Sequence, residues 1–290
     1  MDFADAPLGA MASAMPHASA LSLDPARLDD LDAFLLALNR ASAQAILPLF
    51  RADHGLENKA GPGAFDPVTL ADKGAEAAIR RVIAERFPEH GVIGEEYGED
   101  RPDAEFVWVL DPIDGTRAFI AGLPVWTTLI GLRHQGRPLL GSIGQPYIGE
   151  VFIGDPRGSR LISAAGTRPL KVRACPRLEQ AVIATTDPML FKGAQAEAWN
   201  DLRAATRLAR LGCDAYAYAM VAMGVLDLVV EAGLKAWDIE AAVPVLIGAG
   251  GLVTDWRGQP IGAQGGQMLL GGDRAAMEQA AEILKQASQA

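Results

Sequence analysis

Only two cysteines occur in the chain, Cys175 and Cys213, far apart and in no CxxC pair. That scarcity argues against a structural zinc site and suits a reducing compartment, with both residues expected as ordinary buried thiols. Histidine is nearly as sparse: His17, His54, His90 and His134 form no HxxH, HExxH or nucleophile–base pattern, which leaves a soft-metal hydrolase without support. Neither GxSxG nor GxxxxGKS/T occurs, so a serine hydrolase and a P-loop nucleotidase are equally unsupported. Positive charge is in deficit. A net charge of −10 gives no electrostatic footprint for nucleic acid or an anionic membrane, and an anionic substrate would have to be attracted by metal ions. No apolar run reaches the roughly 18 residues a membrane helix needs.

What is present is ample apolar material, half of 290 residues, enough for one large domain or two intimate ones. Residues 1–24 are rich in Ala, Met, Ser and Pro, with no Lys or Arg before Arg27, so they lack the basic start of a secretory signal and read as a mobile tail; Met11 and Met15 offer alternative starts. Leu28, Leu31, Leu35 and Leu38 fall on one helical face, with Pro48 kinking or ending that helix. After a Gly- and Pro-rich connection, Asp72 sits where an N-cap belongs, and Ile79, Val82, Ile83 and Phe87 predict a second helix. The short apolar runs "GVIGEE", "EFVWVLD", "VWTTLIGLRH", "PLLGSIGQP", "GEVFIGD" and "SRLISA" predict a largely antiparallel sheet. Strand and helix patterns then alternate, with helices expected over about 189–209 and from about 274 to the end. A composition shift near 165–180 divides an N-terminal α+β half, 25–170, from a C-terminal α/β half, 171–290.

The stretch "WVLDPIDGTRAFIAG" places Asp111 and Asp114 three residues apart, behind an apolar run. Two anions so close repel each other and resist burial unless a cation lies between them. The alternative is that Asp111 starts a turn and Asp114 caps a following helix. Three further acidic positions weigh toward a metal: Asp72, the Glu95–Glu96 pair and Asp238 all stand at element ends, where side chains can converge on one cleft. Such oxygen donors suit a hard cation such as Mg²⁺.

The ordered set "DPVTLADKGAE", "GEE", "DPIDGT" and "WDIEAA" followed by "GAGG" resembles the signatures of the inositol monophosphatase superfamily of Mg²⁺-dependent, lithium-sensitive phosphatases, from about residue 28 to the C-terminus. The resemblance implies the layered α+β and α/β sandwich of that superfamily, alternating helix and sheet layers, with two or three Mg²⁺ per active site. Glu95, Asp111 and the carbonyl of Ile113 would hold one cation, and Asp111, Asp114 and Asp238 a second, with Pro112 stiffening a turn that presents both aspartates. Thr116 would orient the attacking water that Glu95 and Asp72 polarise, so that Glu95, Thr116 and Asp72 carry the catalysis. The N–H groups of Gly115 and Thr116, at the start of a short helix, would receive phosphate oxygens. Glu96 matches a neighbouring acidic position, and Lys59 lies in a loop that approaches the site in relatives.

Glu231 precedes Asp238 by seven residues, and in the family a glutamate at this spacing binds the organic part of the substrate; the alternative is a solvated carboxylate at a strand end. Asp214 reads both as an N-cap and as a ligand, whereas Tyr216, Tyr218 and Met220 read as packing residues. "DPIDGTRAFIAGLPVWTTLIGL", "GSIGQP" and "VPVLIGAGG" look most like the histidinol-phosphatase branch, with inositol monophosphatase the near alternative. The resulting expectation is a cytoplasmic homodimer hydrolysing a small phosphorylated metabolite in histidine biosynthesis, with no nucleic-acid or membrane partner. A non-catalytic binding protein on the same fold is the rival reading.

Overall fold

The computed structural model describes residues 23–53, 55–58, 67–261, 264–285 and 287. The expected tail lies outside the described residues except for its last two positions, and Lys59 lies outside them as well. Asp24 accepts from the N–H of Ala26 and Pro25 takes the first helical position, so α1 (Pro25–Ile46) starts with its orphan donors satisfied. Its four predicted leucines are buried, and Pro48 falls in the 3₁₀ turn Leu47–Leu49 that ends it.

The connection to the second helix contains a two-stranded ribbon, β1 (Glu57–Asn58) against β2 (Pro67–Val68). In α2 (Leu70–Arg86) the N-cap is Thr69, not Asp72. Thr69 Oγ1 accepts from Ala71 N–H, and Asp72, at the third helical position, accepts from Thr69 N–H at 2.8 Å. The two residues form a capping box that satisfies two orphan donors at once, and for this reason the helix starts earlier than a single cap at Asp72 would place it.

Eight strands follow in one sheet: β3 (Gly91–Gly94), β4 (Gly98–Asp100), β5 (Phe106–Asp114), β6 (Thr127–His134), β7 (Arg137–Gln145), β8 (Glu150–Asp155), β9 (Gly158–Ser163) and β10 (Gly166–Pro169). Their order is β10-β9-β8-β7-β6-β5-β3-β4, antiparallel throughout except for β3 beside β5, as the short alternating runs predict. The second sheet takes β11 (Val182–Thr185), β12 (Leu208–Leu211), β13 (Leu228–Leu234), β14 (Leu252–Thr254) and β15 (Gly266–Gly271) in the order β12-β11-β13-β15-β14. Here β12, β11 and β13 run parallel, and β15 opposes both β13 and β14.

The helix expected over 189–209 is shorter, α4 (Ala194–Ala204). Pro188 sits in a 3₁₀ turn, Gly193 takes φ +51° just before the helix, and Leu208–Leu211 pairs with β11 instead. The last helix, α8 (Arg274–Leu284), starts as predicted behind its Asp273 cap and stops at Leu284. Cys175 is buried, but Cys213 is only half-buried, because it stands at the surface turn that leads into Asp214.

The side chains sort into five layers. Leu31, Leu35, Ile79 and Ile83 of α1 and α2 cover one face of the large sheet at Trp108, Leu110, Ile130 and Leu132. Its other face meets α5 (Tyr216–Ala222) and α7 (Ala242–Gly248), which pack in turn on Val229 and Leu270 of the small sheet. The outer face of the small sheet is closed by Trp199 and Leu202 of α4 and Met277 and Leu284 of α8. Helix and sheet layers thus alternate in a sandwich, as expected. Gly131, Gly141 and Gly154 stand in register across β6, β7 and β8. A Cβ on Gly141 would lie 2.2 Å from the Ala241 carbonyl oxygen, and one on Gly154 2.2 Å from that of Pro244. This glycine row lets the backbone after the four-residue helix α6 (Ala236–Ile239), which carries Asp238, settle directly on the large sheet.

Candidate metal centre

In a regular strand, residues three apart face opposite sides of the sheet. Asp111 pairs with Leu129 and Asp114 with Thr127, so three steps on β5 match two on β6. This bulge returns both carboxylates to one side. The stretch is therefore a bulged strand end and not a turn begun by Asp111, and Pro112, which has no N–H to leave unpaired, contributes its carbonyl to the Thr128 hydroxyl at 2.8 Å. Asp114 does not cap α3 (Thr116–Ile120), whose N-cap is Gly115 at φ +85°. Its Oδ2 instead accepts from the N–H of Ala215, 2.6 Å away at the start of α5.

Asp238 arrives on α6, with Oδ2 held by the N–H of Lys235 at 2.7 Å. Carboxylate oxygens of Asp111, Asp114 and Asp238 all lie within 4.8 Å of one another, and no other group of three or more acidic, His or Cys side chains converges in this way among the described residues. Glu95 extends the β3–β5 pairing by one bond, its N–H donating to Leu110 O, and so stands beside the end of β5. From α2, Asp72 Oδ1 lies 3.5 Å from the Thr116 hydroxyl, which also reaches the Ile113 carbonyl at 3.1 Å.

Electrostatics binds these residues into one site. Burial holds the Asp111 carboxyl well above the usual carboxylate range, and Glu95, Asp114, Asp238 and Asp72 push it further. Asp114 is raised in the same way, by burial first, then by Asp214 and Asp238, against the opposing Ala215 N–H. Burial lifts Asp238 to about 6 against the pull of Lys235, and Asp214 to about 6 against that of Arg117. Oδ1 of Asp111 is buried with no hydrogen-bond donor among the described residues. Acidic groups crowded in this way, one with an oxygen left unpaired, fit a cation held among oxygen donors, and the absence of Cys or His from the set makes it a hard one.

The other predicted residues divide. Gly115 is required twice over, for its left-handed backbone and because a Cβ there would lie 2.9 Å from the Asp214 carboxyl carbon. Asp214 therefore stands against the α3 entrance. It does not cap α5, whose N-cap is Ala215 with no side-chain bond. Glu231 is not a solvated carboxylate: it is 2 % exposed, accepts from Thr186 N–H (2.8 Å), Thr186 Oγ1 (3.0 Å) and Thr185 Oγ1 (3.3 Å), and is pushed by burial to about 8. Tyr218 and Met220 pack in the core as expected, while Tyr216 also donates its hydroxyl to Glu150 at 2.7 Å.

Sequence reasoning missed two buried carboxylates beside the site. Glu76, fully buried on α2, accepts from Arg80 and from the N–H groups of Glu96 and Tyr97, and Glu240 pairs with Arg133 at 2.6 Å just behind α6. The available signal for Glu76 was its place four residues after Asp72, on the helix face that also carries Ile79 and Ile83.

The sequence pattern of the inositol monophosphatase family matches residues 27–289. The chain belongs to this family. Bifunctional phosphatase IMPL2, chloroplastic, of Arabidopsis thaliana is 41% identical over 257 residues, 86% of this chain and 72% of that protein. A histidinol-phosphatase of Chlorobaculum parvum is 34% identical, covering 67% of this chain and 74% of its own. An inositol monophosphatase from Zymomonas mobilis superimposes with a TM-score of 0.79 at 37% identity, covering 90% of this chain and 100% of that one. The family member described here is accordingly a phosphatase of small phosphorylated substrates, with an acidic cluster able to hold metal. No described helix is long and apolar enough to cross a membrane.

Proposed function

We propose that the chain is a Mg²⁺-dependent phosphate-monoester hydrolase whose substrate is L-histidinol phosphate, cleaved to L-histidinol and phosphate. The observation that carries the metal reading is the unpaired, buried Asp111 Oδ1 within a convergent carboxylate set. Glu95, Asp111 and the Ile113 carbonyl would hold one cation, and Asp111, Asp114 and Asp238 another. When bound, the cations would supply charge neutralisation and Lewis-acid activation. The chain's own residues do the rest. Asp72, fixed through Oδ2 by Thr69, keeps Oδ1 toward the Thr116 hydroxyl, and the pair can orient a water and take up its proton. The N–H groups of Gly115 and Thr116 are offered to phosphate oxygens at the start of α3.

Substrate choice rests on Asp214 and Glu231. Histidinol phosphate carries a primary ammonium and an imidazole, whereas inositol phosphate offers only hydroxyls. Charge-assisted hydrogen bonds from such cations are worth roughly 1.5–3 kcal/mol each, about a tenfold to hundredfold preference per contact. The likeness to IMPL2 and to a histidinol-phosphatase supports this choice, and the likeness to an inositol monophosphatase keeps inositol 1-phosphate as the competitor to test. With Mg²⁺ present, kcat/KM for L-histidinol phosphate should exceed that for inositol 1-phosphate. Glu231→Gln and Asp214→Asn should erode that ratio more than they slow a generic aryl phosphate. A better rate with inositol 1-phosphate, or equal effects on all esters, would overturn the substrate assignment and leave the metal-dependent phosphatase standing. The same reading carries a cytoplasmic homodimer with both thiols free.

A further inference from the structure

On α2, Asp72, Glu76 and Arg80 follow at intervals of four and share one face. Asp72 faces the carboxylate set and adds to the repulsion on Asp111. Both oxygens of Glu76 are occupied, Oε1 by Arg80 Nε (2.7 Å) and Tyr97 N–H (3.2 Å), Oε2 by Glu96 N–H (2.8 Å). Arg80 goes on to donate to the Gly98 carbonyl, at the far end of the same turn. Every backbone group so engaged lies between residues 96 and 98, directly behind Glu95, whose own N–H is held by Leu110 O. The turn from β3 to β4 is thus fastened at each residue, which fixes the backbone on both sides of Glu95.

A buried carboxylate is costly unless it is paired and fully hydrogen-bonded. Glu76 meets both conditions, and the approach is so close that a Cβ on Gly94 would lie 2.1 Å from its Oε1. Arg80 pairs with Glu76 at 2.7 Å and so offsets its charge.

We propose that Glu76, clamped by Arg80, is a positioning residue that sets the backbone of Glu95 for cation binding. This rests on the reading of Glu95 as a ligand. A neutral apolar residue at 76 would leave two N–H groups unsatisfied, and a glutamine can offer only one acceptor oxygen where two are used. Groups that orient metal ligands typically change metal affinity by about 10–100-fold when altered.

The test is calorimetric titration of Mg²⁺ into the wild-type chain and into Glu76→Gln, Arg80→Met and Glu95→Gln, with hydrogen exchange read at residues 95–98. Glu76→Gln is expected to weaken Mg²⁺ binding at least about tenfold and to speed exchange at Glu96 and Tyr97, with KM for an aryl phosphate at saturating Mg²⁺ changed by less than about twofold. Arg80→Met should act in the same direction and more mildly, and it decides the matter in the same terms if Glu76→Gln does not fold. Folded Glu76→Gln that binds Mg²⁺ within about twofold of wild type, while Glu95→Gln binds weakly, overturns the positioning role alone. Unchanged binding in Glu95→Gln overturns the ligand reading, and the positioning role with it.

Discussion

Adding a single methyl group at Gly94 should be among the most damaging small changes in this protein. The backbone of Gly94 would accept alanine, since its φ is not positive, so any cost comes from space. The new Cβ would lie 2.1 Å from Glu76 Oε1, 2.4 Å from its carboxyl carbon and 2.7 Å from Oε2. Ordinary contact needs more than 1 Å of further room, and a carboxylate displaced that far cannot keep bonds of 2.8 and 3.2 Å to Glu96 and Tyr97. Two charge-assisted bonds at roughly 1.5–3 kcal/mol each set the scale. If Arg80 follows the carboxylate and part of the loss is recovered, about 3 kcal/mol remains, or roughly 6–12 °C in Tm. Urea denaturation in excess EDTA measures it, in a cycle with Glu76→Ala. With the glutamate side chain removed, Gly94→Ala should cost less than about 1 kcal/mol. An equal cost in both backgrounds, or a cost below about 1 kcal/mol in the wild-type chain, would refute the steric argument.

Chelation should abolish turnover and Mg²⁺ restore it, and Asp114→Asn should lower the maximal rate by orders of magnitude with an unchanged circular dichroism spectrum; full activity in EDTA would end the metal reading. His90, buried between Phe87 and Phe106 with Trp108 Nε1 donating to its Nδ1, is lowered by burial to about 4, so its ring resonances should titrate near pH 4 and not near 6.5. Because the folded state takes that proton later than the unfolded chain does, stability from this residue is intact above pH 6.5 and falls as pH drops toward 4, by at most about 1.4 kcal/mol per unit. Denaturation curves of His90→Asn should lack that increment, and a ring titration near 6.5 would refute it. Light scattering at micromolar concentration should return the mass of a dimer, and a monomer mass would overturn that expectation.

The chemistry of the site was legible because it is written locally. The pair Asp111 and Asp114 behind an apolar run raises the question of a cation, beside the alternative of a turn and a cap, and the short runs "EFVWVLD" and its neighbours announce the sheet that carries them. The geometry that brings the pair to one side was not legible, since the bulge depends on how β5 pairs with β6, and spacing alone places the two aspartates on opposite faces. Long-range partners were hidden for the same reason. Arg133 and Glu240 are 107 residues apart, and nothing near either one marks it as buried. Glu76 was not singled out, and Asp72 looked like a simple cap, because a capping box is distinguished from a single cap only by which N–H each oxygen meets. The shortened α4 shows tertiary pairing overriding helix propensity, as Leu208–Leu211 finds a partner in β11.

The hydrogen bond from Ala215 to Asp114 joins two layers through a carboxylate of the proposed cation site. Asp114 ends a strand of the large sheet, Ala215 opens the helix packed between the sheets, and Asp238 reaches the same point from the far end of β13. A cation held there would draw its donors from both sides of a seam. By reciprocity, whatever free energy the closed seam lends to cation binding the cation returns to the closing of the seam. Removing the ion would loosen the contact between layers before it unfolded either sheet, and the breathing of that contact would set how fast an ion can leave.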